Sequence, residues 1–240
     1  MIEAGAAAGA PAGAPAARGL ERVLVGAEAG VAVAALSLMA LLPAIEVAAR
    51  HLHLTGLPGS AVLVQQLTLW VTLAGAALAA QERRLLALST ANFIPRRGRR
   101  MAELLSAAFC AAISAALAWA SWQFVAVERL GGERLAMGLP VWLAQAIMPL
   151  GFALIAGHVI WSAAPSAKGR IVAAIGLLLP WVFNLGGAHV AAFTTIGAAA
   201  ILVAAGLGLP IFATLGGVAL LLFWAEGVPV ASVPAEAYRL

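Results

Sequence analysis

The chain has 240 residues, of which 63% are hydrophobic and only 10% are charged. A soluble domain carries about 25% charged residues, so the composition excludes a soluble globular protein and predicts an integral membrane protein. The formal net charge of +4 does not indicate nucleic-acid binding, because six of the arginines cluster in one short segment between two apolar runs. A single cysteine, Cys110, excludes an intrachain disulfide.

The first part of the chain combines a polar tail with an apolar run of membrane-spanning length. Residues 1–19 are rich in Ala, Gly and Pro, and they predict a disordered tail. Val23 to Ala49 follows as the first predicted span, because about 20 helical residues cross a hydrocarbon core about 30 Å thick. Glu46 and Arg50 near its end are four residues apart, a spacing that allows an ion pair on one helix face.

Three further long apolar runs predict the second, third and fourth spans. These runs are Ala61 to Ala80, Met101 to Val127, and Pro140 to Ser162. Trp119 and Trp122 lie toward the far end of the third run, where an interfacial belt of aromatic residues is expected.

An arginine-rich segment, Gln81 to Arg100, separates the second and third spans. Its six arginines are Arg83, Arg84, Arg96, Arg97, Arg99 and Arg100. Cytoplasmic loops hold an excess of Lys and Arg, so this segment predicts a cytoplasmic loop and a cytoplasmic amino terminus. Within it, Arg84 to Phe93 predicts a short interfacial helix that ends before Pro95.

Three shorter apolar runs complete the chain: Ile171 to Leu185, Ala191 to Leu207, and Pro210 to Ala225. The last two are separated by a short glycine- and proline-containing link, which favours two antiparallel helices over one broken helix. The sequence therefore predicts an all-α, polytopic transmembrane protein with about seven spans.

The residues give no pattern typical of an enzyme or of a cofactor site. Metal-ligand spacing and a nucleophile–base set are both missing from the sequence, so we expect no catalytic, cofactor-binding or metal-binding residues. The four histidines do not fall at one predicted membrane depth, which disfavours a haem-binding electron carrier. Glu46 has two open interpretations: an interfacial ion pair with Arg50, or a polar contact with a partner subunit.

Several segments, taken in order, resemble the small permease (Q) subunit of tripartite ATP-independent periplasmic (TRAP) transporters. These segments are IEVAARHLHLTG, QQLTLWVTLAGAALAAQERRLLALSTANFIPRRGRR and GLPVWLAQAIMPLGFALIAGHVIW. The motif positions are Arg50, Trp70, Gly75, Pro140-Val-Trp142 and Pro149-Leu-Gly151. The resemblance covers roughly Leu20 to Trp161. Two positions depart from the family: Gln65-Gln66 where an acidic residue is frequent, and Leu85-Leu86 where a His is frequent.

The carboxyl-terminal segment GLGLPIFATLGGVALLLFWAEGVPVASVPAEAYRL resembles the opening of the large permease (M) subunit. The two resemblances imply a disordered tail at 1–19, a small-permease module at 20–165, a connecting helix at 166–187, and a truncated large-permease start at 188–240. In the family, the substrate and sodium sites lie in later helical hairpins of the large subunit. We therefore expect this chain alone to transport nothing.

The resemblance implies a scaffolding role in the inner membrane of a bacterium. The implied partners are the large permease, a periplasmic substrate-binding protein and the lipid bilayer, with small organic acids as substrates. The candidate subunit-contact or topology residues are Glu46, Arg50, Trp70, Arg83, Arg84, Arg96, Arg97 and Trp142. The main alternative is a structural membrane-assembly protein without a transport role.

Overall fold

A computed structural model describes most of the chain as a bundle of helices. The described residues are 15–52, 59–82, 84–87, 96–135, 138–163, 171, 174, 177 and 190–239. In chain order their helices are α1 (Pro15–His51), α2 (Ser60–Gln81), α3 (Arg96–Gly131), α4 (Val141–Gln145), α5 (Ile147–Ala163), α6 (Val190–Gly206), α7 (Ile211–Ala225) and α8 (Ser232–Arg239).

Four stretches of helix are long and apolar enough to cross a membrane, which confirms the predicted polytopic, all-helical fold. They are Val25–His51, Ser60–Gln81, Gly98–Gly131 and Val141–Ala163. Phe193–Gly206 and Ile211–Ala225 are shorter apolar helices. The predicted connecting helix at 166–187 lies almost wholly outside the described residues, so its prediction stands as made.

The first helix is longer than the sequence predicts. α1 has 37 residues and is therefore about 55 Å long, well beyond the hydrocarbon thickness of about 30 Å. Residues 15–19, which the sequence assigns to the disordered tail, are helical. Pro15 is the first residue of α1, where its fixed φ suits a helix and its missing N–H is not needed. Residues 1–14 of the predicted tail lie outside the described residues.

The fourth span, predicted as Pro140 to Ser162, is found at Val141–Ala163 and is interrupted near its start. α4 ends at Gln145, Ala146 forms a turn, and α5 begins at Ile147. Pro149 explains the position of the break, because a proline cannot donate to the carbonyl four residues earlier and its ring collides with that carbonyl. The carbonyl concerned belongs to Gln145. Pro149 itself is accommodated in the first turn of α5.

The described part of the arginine-rich loop is extended rather than helical. Ala87 forms an isolated antiparallel bridge with Pro210, and the backbone N–H of Ile211 donates to the carbonyl of Leu86 at 2.9 Å. The prediction of an interfacial helix is therefore wrong for residues 84–87, where the backbone pairs with another chain segment instead. Residues 88–93 lie outside the described residues. We refer to this end of the bundle as the basic end, and to the end with the 131–140 turn as the opposite end.

α3 is the central helix of the bundle, and it packs against α5, α6, α7 and α8. Its buried face consists mostly of small side chains, including Ala111, Ala116 and Ala120. Neighbouring helices also present small residues: Leu117 of α3 approaches Gly216, and Ile113 approaches Gly217. Small residues allow helices to pack closely in a bilayer, where no hydrophobic effect drives them together.

The last two apolar runs form an antiparallel pair, as predicted. Gly197 of α6 lies against Leu221 of α7, and Ile201 lies against Gly217, so the residue number falls along α7 as it rises along α6. The link between the helices turns at Gly208, whose φ of 104° lies in the region that favours glycine. The bridge at Pro210 holds this link at the basic end.

The close contact between α2 and α5 predicts that two Gly→Ala substitutions differ in their effect on the stability of the fold. A Cβ at Gly151 would lie 2.9 Å from the Cβ of Leu73, whereas one at Gly75 meets nothing within 4 Å. We expect Gly151→Ala to lower the free energy of unfolding by about 1–3 kcal/mol through overpacking. Gly75→Ala should leave it unchanged or raise it by up to about 1 kcal/mol, because Ala is the better helix former. Thermal unfolding in detergent measures both; equal stability of the two variants would contradict the packing.

Candidate functional site

Polar side chains buried between apolar helices are the candidates for function, because hydrocarbon gives them no hydrogen-bond partner. The buried polar residues that the structure describes are Glu28, Ser60, Gln66, Ser106, Ser114, Ser121 and Gln145. Three of them, Glu28, Ser60 and Gln66, make contacts that join different helices. Each such contact is described in turn with the candidate residues that it involves.

A buried contact between a carboxylate and a histidine joins α1 to α5. Nε2 of His158 lies 2.9 Å from one carboxylate oxygen of Glu28 and 3.2 Å from the other. The exposed fractions of the two side chains are only 7% for Glu28 and 14% for His158. Sequence analysis missed this pair. The available signal was topological: the start of the first span and the end of the fourth lie on the same side of a membrane, so both residues fall at one depth.

Glu46 forms the predicted pair with Arg50 and also reaches the next helix. The Arg50 guanidinium lies 2.5 Å from one carboxylate oxygen, and the hydroxyl of Ser60, the first residue of α2, donates to the other. This contact fixes the α1–α2 connection at the opposite end. The Arg50 side chain is 73% exposed against 21% for Glu46, so the arginine is the member of the pair that is open to a partner.

Trp70 and Trp142 both contact the broken fourth span. In an unbroken helix the carbonyl of Ala144 would accept from the N–H four residues later, and here Nε1 of Trp70 donates to it at 2.8 Å. Trp142 lies two residues earlier on α4, and the guanidinium carbon of Arg129 lies 5.5 Å from the centre of one of its rings. The two candidate tryptophans therefore tie α2 and α3 to α4.

The arginines of the basic loop are not brought into one cluster by the residues that the structure describes. Arg84 is exposed and lies 3.5 Å from a carboxylate oxygen of Glu82. Arg96 and Arg97 begin α3, and their side chains lie outside the described part, as does all of Arg83. Their role in topology therefore stays a prediction.

The carboxyl-terminal helix α8 packs across the opposite end of the bundle, which sequence analysis did not anticipate. The side-chain amide of Gln66 on α2 donates to the hydroxyl of Tyr238, and the ring of Tyr238 lies 6.2 Å from that of Phe124 on α3. The spacing of Ser232, Glu236 and Arg239, four and three residues apart, was the signal for this amphipathic helix. Gln66 occupies one of the two positions where the sequence departs from the TRAP pattern.

The described residues contain no group of three His, Cys, Asp or Glu side chains that could hold a metal ion. His51 is exposed at the end of α1, whereas His158 is paired with Glu28 near the basic end. His53 and His189 lie outside the described residues. The geometry of the two described histidines gives no support to a haem site.

Comparison with known protein families identifies the family of this chain. Residues 39–168 match the model of the family described as tripartite ATP-independent periplasmic transporters, DctQ component. This range is more than half of the chain. The chain belongs to the DctQ family. Searches of curated proteins and of solved structures gave no match.

DctQ proteins are components of TRAP transporters, so the chain is a membrane component of a transport system. The matched range runs from the middle of α1 to beyond α5 and contains Glu46, Arg50, Trp70 and Trp142. Glu28 precedes it, and α8 follows it. The buried Glu28–His158 contact therefore links a residue outside the matched range to one within it.

The Glu28–His158 pair predicts a measurable coupling energy between α1 and α5. Glu28→Ala should lower the free energy of unfolding by about 1–3 kcal/mol, because His158 is left buried without its partner. The double variant with His158→Ala should lose less stability than the two single variants lose together, and a double-mutant cycle in detergent measures the difference. Glu103→Ala is the control, since its ion pair with Arg99 is exposed and should contribute little. Strict additivity of the Glu28 and His158 effects would contradict the contact.

Proposed function

We propose that this chain is the small-permease scaffold of a TRAP transporter. It holds the large permease in the bilayer and contributes to the surface on which a periplasmic binding protein docks. The observation that carries the proposal is the DctQ match over residues 39–168, on a module of four membrane-spanning stretches. The contacts of Glu28, Glu46, Gln66 and Trp70 support a scaffold, since each ties one helix to another.

The proposed substrate class is a small organic acid, taken up across the bacterial inner membrane by secondary transport. This substrate would bind to the large permease rather than to this chain. Residues 188–240 would correspond to the start of that subunit, joined to the small-permease module. The packing of α6, α7 and α8 on α3 supports this assignment, because it gives the two parts a shared interface.

The proposed orientation places the basic end in the cytoplasm. The arginine-rich loop supports it, since transferring clustered guanidinium groups across a membrane is unfavourable. The bridge between Ala87 and Pro210 puts the α6–α7 link at the same end, in agreement with alternating crossings of the later helices. The amino terminus would then be cytoplasmic, and the 131–140 turn and α8 would face the periplasm.

Cysteine labelling tests this orientation. In a Cys110→Ala background, Glu82→Cys at the basic end and Glu133→Cys at the opposite end are matched, because both residues are exposed. We expect a membrane-impermeant maleimide to label Glu133→Cys in intact cells, and Glu82→Cys only after the membrane is permeabilised. Labelling of Glu82→Cys in intact cells would reverse the orientation.

Assembly with a large permease tests the scaffold role and the contribution of Glu46. Co-expressed with the large permease of the same transporter, the affinity-tagged wild-type chain should retain it through purification. Glu46→Ala should reduce the amount retained, because Arg50 loses the carboxylate that positions it. Glu236→Ala, which removes the exposed pair with Arg239, is the control.

The wild-type result and the Glu46→Ala result test two different statements. Failure of the wild-type chain to retain any large permease would contradict the scaffold function. Equal retention by wild type and Glu46→Ala would leave that function intact and exclude Glu46 as a residue on which subunit contact depends.

A further inference from the structure

A long apolar groove runs between α3 and the broken fourth span. Its volume is about 1160 Å³. Trp119, Trp122 and Val125 of α3 form one wall, and Leu150, Ala153 and Gly157 of α5 form the other. Leu177, from the segment between α5 and α6, also lines it and is 40% exposed. Along α3 the groove extends from Ala115 to Leu130, which is about 20 Å at 1.5 Å per residue.

One cation stands at the opposite-end mouth of this otherwise apolar groove. Arg129 lines the groove together with Trp142, over whose ring its guanidinium lies at 5.5 Å. A guanidinium that rests on an aromatic face keeps its N–H donors in its own plane, where they can bind an anion. Within the described residues, no carboxylate lies at ion-pair distance from Arg129, so its charge is not neutralised by a partner there.

The position of Arg129 matches the headgroup level of a bilayer. It lies in the last turn of α3, beyond Trp119 and Trp122, and tryptophans mark the membrane–water interface. The groove below it is longer than half of a hydrocarbon core about 30 Å thick, so one leaflet's acyl chain fits along it. A cation at headgroup depth above an apolar channel is complementary to a phosphate carried on acyl chains. Arginine binds phosphate in a bidentate geometry that few other side chains provide.

We propose that this groove is a phospholipid site. The phosphate binds to the Arg129 guanidinium, and an acyl chain lies between α3 and α5 over Ala153 and Gly157. The lipid would come from the leaflet at the opposite end. This inference depends on the membrane setting of the helices and not on the transport role proposed above.

Two variants remove the two halves of the site separately, and each has a matched control. Arg129→Gln removes the charge. Its control, Arg134→Gln, removes an exposed arginine of the adjacent 131–140 turn, and Arg134 does not line the groove. Gly157→Leu places a larger side chain in the groove, where a Cβ meets nothing within 4 Å. Gly75→Leu introduces the same side chain on α2, where a Cβ is equally unobstructed and the residue does not line the groove.

The binding experiment uses the purified full chain in detergent and two lipids with brominated acyl chains. Bromine quenches the fluorescence of nearby indoles such as Trp119, Trp122 and Trp142. We expect brominated phosphatidylglycerol to quench the wild-type chain at a lower concentration than brominated diacylglycerol, which has the same chains and no phosphate. Arg129→Gln should weaken phosphatidylglycerol binding about tenfold, the effect of losing one charge-assisted hydrogen bond. Gly157→Leu should weaken both lipids, and the two controls should match wild type.

The outcomes decide the proposal. Equal affinity of wild type for the two lipids, or unchanged phosphatidylglycerol binding in Arg129→Gln, would overturn the phosphate site. If Gly157→Leu fails to fold, the Arg129 and Arg134 variants still decide the result. Phospholipid that copurifies equally with wild type and Gly157→Leu, while a stoichiometric polypeptide is lost only from Gly157→Leu, would show that a partner helix fills the groove, and would also overturn the proposal.

Discussion

Hydrocarbon offers no hydrogen bonds, and the polar contacts inside this bundle follow from that constraint. A polar group within a membrane span must be satisfied by the protein itself, or it destabilises the fold. The Ala144 carbonyl, which lies just before the interruption in the fourth span, accepts from the Trp70 indole. Glu28, whose side chain is only 7% exposed, is paired with His158. In both cases the satisfied group joins two helices, so meeting the polar requirement also fixes the arrangement of the spans.

Close packing of small residues is the second consequence of the bilayer. Association of helices in lipid depends on van der Waals contact, which is greatest where side chains are small enough for backbones to approach. α3 satisfies this requirement with a face of alanines, and α5 and α7 meet their neighbours through Gly151 and Gly217. The alanines of α3 and the glycines Gly151 and Gly217 thus reflect packing, and the small face of α3 explains why it can contact several helices at once.

The helices could be predicted from the sequence because their signal is local. The contacts of the candidate site could not, because they join residues that are far apart in the chain. Apolar run length and the glycine link before Pro210 were sufficient for the spans and for the α6–α7 pair. The interruption at Ala146 was missed because a proline such as Pro149 is compatible with a kinked helix as well as with an interrupted one. The Glu28–His158 pair joins residues 130 positions apart. Run length carries no information on which face of one span meets another.

The contacts around the interruption in the fourth span agree with the scaffold role proposed above. At Ala146 the backbone stays in the α-helical region, with φ −59° and ψ −18°, and Pro149 leaves the Gln145 carbonyl without its helical donor. α2 contacts this position through Trp70, α3 contacts the turn before it through Arg129 on Trp142, and Leu73 packs against Gly151 beyond it. Neighbouring helices therefore hold the span on both sides of the interruption. A span held in this way keeps its position, which is what the proposed scaffold role requires.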